Sequence, residues 1–421
     1  MTRHILHVVQ LYDPVKSGAA RYFHEIGARL VREGHRVTVL ATDAHDLEHL
    51  WMAGRRWIAE PETIIDGVRV VRLATRRAPG PALVYPALRR MMLEIARIPG
   101  TTPLLRQLAQ LTPTLPRLGA LLRSPRFADV ALVHAANITL DFMLLPAQHF
   151  AAARSIPFVC TPFVHLGEPE HDTIRRYYTM RHQIDLLRRA DRTLTMTNIE
   201  RDALMERGVP AERLHTVGAG VDPADVTGGD AVGFRAEHQI AGSIVLFIGS
   251  LARDKGAIDT VEAMQHVWAR GGDATLVLIG APLQHFSAYI ERLTATTRAR
   301  LRILPYASDT VRRNALAAAD VFALPSRTDS FGIVYLEAWC NGLPVIGARA
   351  GGVPGVIRDG VDGLLVPYGD PTALAAALDR LLRDAALRRQ FGVAGRVRAL
   401  GEYTWDAVYE RVRAVYGEVG V

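Results

Sequence analysis

Apolar residues recur along this chain in two alternating rhythms. The run HILHVVQLY (His4–Tyr12) is close to continuously apolar and predicts a buried strand. A loop with Pro14, Lys16 and Gly18 follows. The segment ARYFHEIGARLVREG then puts Tyr22, Phe23, Ile26 and Leu30 on one helical face and stops at Gly34. HRVTVLAT is the next strand, which completes a β–α–β unit with a glycine at its first strand-to-helix turn. The rhythm restarts at SIVLFIGSLARDKG (Ser243–Gly256): a strand, a basic glycine-flanked loop, a helix to about Arg270, and the strand TLVLIG (Thr275–Gly280). LRILPY, NALAAAD, VFALPS, a helix entered through TDSFGIVYLEAW, and LPVIGA continue it. Such alternation predicts parallel sheets with helices on both faces, and two restarts predict two doubly wound α/β domains.

The stretch Val217–Asp230 is rich in Gly, Pro and Asp and predicts the join, with one domain over 1–217 and a second over 218–400. Trp405, Val408, Val412 and Val415 share a helical face, so 401–421 is expected to be a helix packing back on the first domain. Residues 78–126 break the alternation. They are Pro- and Leu-rich and hold three short helical patterns, ALRRMMLEIARI, LLRQLAQL and RLGALLRS, which read as a helical insertion in the first domain.

Composition narrows the class. Nearly half of the 421 residues are apolar, which supports large cores and argues against disorder. The two cysteines, Cys160 and Cys340, lack metal-ligand spacing, which argues against a disulfide framework and structural zinc. No leader-like segment and no apolar run of membrane-spanning length is visible, so a cytoplasmic location is expected. The net charge of +7 is uneven: Pro86–Arg126 carries seven arginines against one glutamate. A local patch argues for a local anionic surface over a nucleic-acid partner. Arg89, Arg90 and Arg97 are expected to face an anionic membrane, a solvated cap being the plainer reading. Of 50 basic residues only Lys16 and Lys255 are lysine, which marks two places that use a compact ammonium in place of a planar fork.

The motifs exclude several chemistries. No Walker A loop, no D-x-D triplet and no GxSxG elbow occurs, and GAG at Gly218–Gly220 runs into Val-Asp-Pro where a dinucleotide fingerprint would open a helix. Three loops remain, each following an apolar strand and entering a helix: PVKSGAAR, GSLARDKG and SRTDSFG. Open α/β sheets bind ligands at such ends. The loops offer exposed backbone N–H groups, Arg253, Lys255 and two carboxylates eight positions apart, Asp329 and Glu337. N–H groups at helix starts suit phosphate and carboxylates suit sugar hydroxyls, so a diphosphate carrying sugars would use all of these parts.

These residues resemble the retaining glycosyltransferases of the GT-B fold, family 4. The resemblance spans nearly the whole chain through SGAARYFHEIGARLVREGHRVTVLAT, GVPAERLHTVGAGVD, FIGSLARDKG, ADVFALPSRTDSFGIVYLEAWCNGLPVIGARAGGVPGVI and DGLLVP. It implies two Rossmann-like domains facing a central cleft. It also implies transfer of a hexosyl unit from a UDP- or GDP-sugar to an acceptor hydroxyl with retention, without metal or other cofactor. A lipid-linked or cell-envelope acceptor would place the protein on the inner face of a membrane. The family's Glu-x7-Glu pair implies that Glu337 holds the donor ribose, while Asp329, a methylene shorter than the usual glutamate, contacts the donor sugar. Ser330, Phe331, Gly332, Ile333 and Val334 would bind the donor along the turn between them. Lys255 matches the family lysine that stabilises the leaving diphosphate; Ser250 stands where an arginine is usual, and Arg253 is the substitute cation. Gly18 matches the glycine loop near the diphosphate, and His165 matches the family histidine near the donor sugar, ahead of His171 and His134. His165, Asp329 and Lys255 are thus the expected catalytic set. A sugar-nucleotide epimerase, a glycogen-synthase-like polymerase and a non-catalytic sugar- or membrane-binding protein with a degraded site are the competing readings.

Overall fold

The computed structural model describes residues 2–77, 80, 82–111 and 113–421. The expected insertion begins at Ala78, which with Pro79, Pro81 and Thr112 lies outside the described residues, as does Met1. The chain divides into two compact units. The first holds the residues through Val164, Thr173–Val217 and Tyr409–Val421; the second holds His165–Asp172 and Gly218–Val408.

Eight strands build the first unit's sheet: β1 (His4–Val8), β2 (Arg36–Thr42), β3 (Glu62–Ile65), β4 (Val68–Leu73), β5 (Val130–Ala136), β6 (Phe158–Thr161), β7 (Arg192–Thr195) and β8 (Leu214–Thr216), in the order β3-β4-β2-β1-β5-β6-β7-β8. All neighbours run parallel except β3 with β4. The central β1 is buried along its whole length, as a strand covered on both faces must be. The helix Gly18–Arg32 starts where the Ser17 side chain accepts the Ala20 N–H, and it buries Tyr22, Phe23, Ile26 and Leu30 against the sheet side of the unit. Gly34, at φ 88°, ends it in the left-handed region that a Cβ disfavours.

A polar network sits inside this core. Tyr416 Oη lies 2.6 Å from His134 Nδ1 and 3.3 Å from His7 Nε2, and His134 Nε2 lies 2.7 Å from Thr161 Oγ1. Both imidazoles are fully buried, and burial holds each well below the ordinary histidine pKa, so both are neutral.

The segment between β4 and β5 forms the helices Val84–Ile95, Thr102–Ala109 and Leu118–Leu122. Here one expectation is corrected: Arg89 is not on the surface. It shares the inward face of its helix with Met92 and Leu93, and its Nη1 lies 3.0 and 3.1 Å from the two Asp141 oxygens. His182 Nε2 lies 2.7 Å from the same carboxylate, which is 1% exposed. Periodicity gives this helix an inner face but cannot show that a buried carboxylate waits opposite it.

The second unit carries β9 (Ile244–Ile248), β10 (Thr275–Ile279), β11 (Leu301–Leu304), β12 (Val321–Leu324), β13 (Val345–Ala348) and β14 (Gly363–Val366), all parallel, in the order β11-β10-β9-β12-β13-β14. Strand order reverses between β9 and β12. The loops that follow these two adjacent strands therefore leave the sheet side by side, at the place where such sheets take ligands.

Candidate donor-binding site

The loop after β9 turns into the helix Ala257–Ala269 through Gly256, at φ 75°. A Cβ there would come within 2.5 Å of the Pro325 carbonyl oxygen, so glycine lets the β9 and β12 loops touch. Lys255 precedes that glycine. Its Nζ lies 2.9 Å from Asp329 Oδ1 in the β12 loop. The Asp329 side chain is one-fifth exposed, yet Oδ2 itself is shielded from solvent and makes no hydrogen bond among the described residues. Burial alone would raise the Asp329 pKa. The Lys255 cation, hydrogen bonds from Ser326 and Lys255, and nearby His165 outweigh it and hold the group below the ordinary carboxylate value. Asp329 is therefore an anion with one unsatisfied acceptor, suited to a hydroxyl.

His165 belongs to the same cluster. Burial, reinforced by the Lys255 charge and opposed by Asp329 and Asp254, lowers its pKa to about 4. It is a neutral imidazole at physiological pH and can exchange hydrogen bonds with a sugar without adding charge. Of the alternatives, His171 is exposed and His134 belongs to the first unit's buried network.

The helix Ile333–Cys340 begins at Gly332, at φ 91°, where a Cβ would meet the Tyr335 ring at 2.4 Å. Ser330, Gly332, Ile333 and Val334 are half-buried around this N-terminus, while Phe331 points inward with its ring edge-on to Tyr403 at 5.4 Å between centroids. The turn thus presents backbone N–H groups and a partial positive charge. Glu337 lies a turn and a half further on, with its carboxylate only 4% exposed and Oε2 2.8 Å from Arg312 Nη2. No sequence motif points to Arg312. It sits on the helix Asp309–Ala318, 25 positions away with β12 between, and no local pattern links it to Glu337.

Arg253 is exposed. Its backbone N–H donates to His285 Nε2 at 2.8 Å and its side-chain charge acts on Asp259, lowering a pKa that burial and Glu262 raise. Gly18 lies in the first unit, as the opening residue of its helix, where a Cβ would meet nothing within 4 Å. Among the described residues, no group of three His, Cys, Asp or Glu gathers as a metal cage.

Residues 17–220 match the model described as "Glycosyl transferase 4-like domain", and residues 242–384 match "Glycosyl transferases group 1". A D-inositol 3-phosphate glycosyltransferase of Corynebacterium diphtheriae is 35% identical over 185 residues, 42% of this chain and 43% of that protein. Another, of Acidothermus cellulolyticus, is 34% identical over 249 residues, 56% of this chain and 54% of that protein. The chain thus spans about half the length of these curated relatives. A crystal structure of Anabaena HepE in complex with UDP and glucose shares the fold, with a TM-score of 0.73 over 99% of this chain and 100% of that one at 18% identity.

Proposed function

Since this chain belongs to the GT-B glycosyltransferases of family 4, we propose that it moves a hexosyl unit from a UDP- or GDP-sugar to an acceptor hydroxyl with retention of configuration. The observation that carries the reading is the Lys255–Asp329–His165 cluster beside a glycine-started helix that holds Glu337.

Each part has a task. The Glu337 carboxylate accepts the ribose hydroxyls, and Arg312 sets its direction. The backbone around Gly332 and the Lys255 ammonium take up the negative charge that grows on the departing nucleoside diphosphate, at no reorganisation cost because both are already in place. These groups belong to the protein, and the proposed reaction takes no metal. Asp329 accepts a donor-sugar hydroxyl through Oδ2 while Oδ1 keeps Lys255 oriented. Neutral His165 hydrogen-bonds the sugar. The acceptor hydroxyl attacks on the face that the diphosphate leaves, and a diphosphate oxygen takes its proton. No enzymic nucleophile is then needed.

The acceptor is proposed to be lipid-linked and the protein peripheral to an anionic membrane. Among the described residues no helix is long and apolar enough to cross a membrane. Leu83, Met91, Ile98 and Leu104 are exposed at 74%, 46%, 58% and 46%, and Arg90 and Arg97 are exposed beside them. Apolar side chains interleaved with arginine suit the headgroup boundary of an anionic bilayer.

The test is thermal melting with UDP, GDP, ADP and their sugar conjugates, with and without EDTA, for wild type and Glu337→Ala. A ligand of the native state raises the melting temperature by mass action. A shift from UDP or GDP that survives EDTA and vanishes in the variant is expected. No shift with any nucleotide removes the transferase reading in favour of a degraded binding protein.

A further inference from the structure

We propose that Arg327 is the second cation for the donor diphosphate and that Glu168 occupies its guanidinium until the donor arrives. The inference rests on the reading of this site as one for nucleoside diphosphate sugars.

Arg327 stands two residues before Asp329, and its backbone N–H donates to Asp254 O at 2.9 Å, immediately beside Lys255. Thr328 Oγ1 donates to Asp254 Oδ2 at 2.9 Å and ties the two loops again. The Arg327 guanidinium lies over the Tyr368 ring, 5.0 Å from its centroid, and Tyr368 Oη donates to Arg253 O at 3.0 Å. Stacking and loop contacts thus fix the guanidinium where the loops after β9, β12 and β14 meet. Both its Nε and Nη2 point at one oxygen, Glu168 Oε2, at 3.1 and 3.0 Å.

Glu168 lies on a strap, His165–Asp172, that belongs to the second unit although the chain on both sides of it belongs to the first. The strap's first residue is the His165 of the Lys255–Asp329 cluster. Gly167 O accepts the Gly351 N–H at 2.7 Å, and beyond Glu168 the strap is exposed. So Lys255 and Arg327 are each matched by a carboxylate, but the two carboxylates differ in how firmly they are held. Asp329 is locked in the β12 loop with a shielded oxygen. Glu168 and Arg327 are 16% and 25% exposed, and two nitrogens of the guanidinium meet the same Glu168 oxygen. A pair that solvent still reaches, made through one carboxylate oxygen, can exchange its partner for a better-matched anion. A diphosphate offers the same guanidinium two oxygens side by side and more negative charge, the geometry that arginine binds best. The incoming diphosphate therefore displaces Glu168 and frees the strap at that point. By linkage, whatever holds Glu168 on Arg327 works against diphosphate binding.

Calorimetric titration of the full chain with UDP and GDP tests this, using wild type, Glu168→Gln, Arg327→Gln and the double variant. Melting curves confirm that each is folded. Arg327→Gln is expected to weaken the preferred diphosphate about tenfold or more, the loss of one charge-assisted contact. Glu168→Gln is expected to tighten it roughly three- to tenfold, since its competing charge is gone. That gain should disappear in the double variant. Wild-type affinity in either single variant, weaker binding by Glu168→Gln, or a gain that persists without Arg327 overturns the proposal. If wild type binds no nucleoside diphosphate, the proposed function falls with it; if wild type binds and the variants match it, this inference falls alone.

Discussion

Lys255 Nζ lies 2.9 Å from Asp329 Oδ1, so the ammonium assigned to the departing diphosphate is aimed by the carboxylate assigned to the sugar. The two groups given these tasks in the proposed reaction are coupled through one ion pair. Lys255→Ala should lower kcat/KM for donor turnover by about 10²–10³-fold, the usual effect of removing a preorganised charge from a transition state. Asp329→Asn should lower it too, and Asp329→Glu should restore part of the loss. Donor hydrolysis rates measure this without knowledge of the acceptor. Full activity in Lys255→Ala would remove the lysine from the mechanism.

Arg312 and Glu337 form the second pair, 2.8 Å apart, with the glutamate nearly shut off from solvent. If Arg312 positions the ribose-binding carboxylate, Arg312→Gln should weaken nucleotide binding about tenfold, or about 1.4 kcal/mol. Fluorescence or calorimetric titration with UDP and GDP checks it. A variant that melts like wild type and binds with unchanged affinity would show that the pair serves stability only.

The arginines of the helix Val84–Ile95 and its following turn should separate by function. Arg89→Ala leaves the buried Asp141 with His182 but no permanent cation, and a loss of about 3–5 kcal/mol is expected in urea unfolding. Arg90→Ala and Arg97→Ala should leave stability within about 0.5 kcal/mol. They should instead weaken binding to vesicles of anionic lipid, as added salt should. Vesicle binding indifferent to salt and to both substitutions would exclude an electrostatic membrane contact.

Acid stability should follow the buried histidines. His7, whose pKa is lowered to about 3, and His134, lowered well below its ordinary value, stay neutral when folded and take up a proton when unfolded. The stability they confer is present above pH 6.5 and is lost as pH falls below it, by about 1.4 kcal/mol per pH unit for each. Glu200 acts in the opposite sense: burial lifts it to about 7 against hydrogen bonds from Val164 and Met196, so its contribution is present below about 4.5 and is lost as pH rises through 7. His4 and His165, each lowered to about 4 chiefly by burial, act in the same sense as His7 and His134, so four histidines against one glutamate predict a net loss from pH 6.5 to 5. His134→Gln, if folded, should flatten that slope in urea unfolding measured at successive pH values.

The elements and the class are legible in local patterns of the chain. Near-continuous apolar runs such as 244–248 and 275–279 became central parallel strands, and the apolar face of 18–32 became a packed helix, because both periodicities are local consequences of backbone geometry. Glu337 could likewise be placed a turn and a half into its helix by counting residues from Gly332. Tertiary structure decided which charges meet. Lys255 and Asp329 are 74 positions apart, Arg327 and Glu168 are 159 apart, and Arg89 and Asp141 are 52 apart. The first pair is brought together by the reversal of strand order between β9 and β12, and the second by the strap His165–Asp172, which packs within the second unit. Periodicity assigns a side chain to a face of its own element and carries no information about what lies across from it. That is why Arg89 reads as a surface cation in the sequence and is a buried one in the fold.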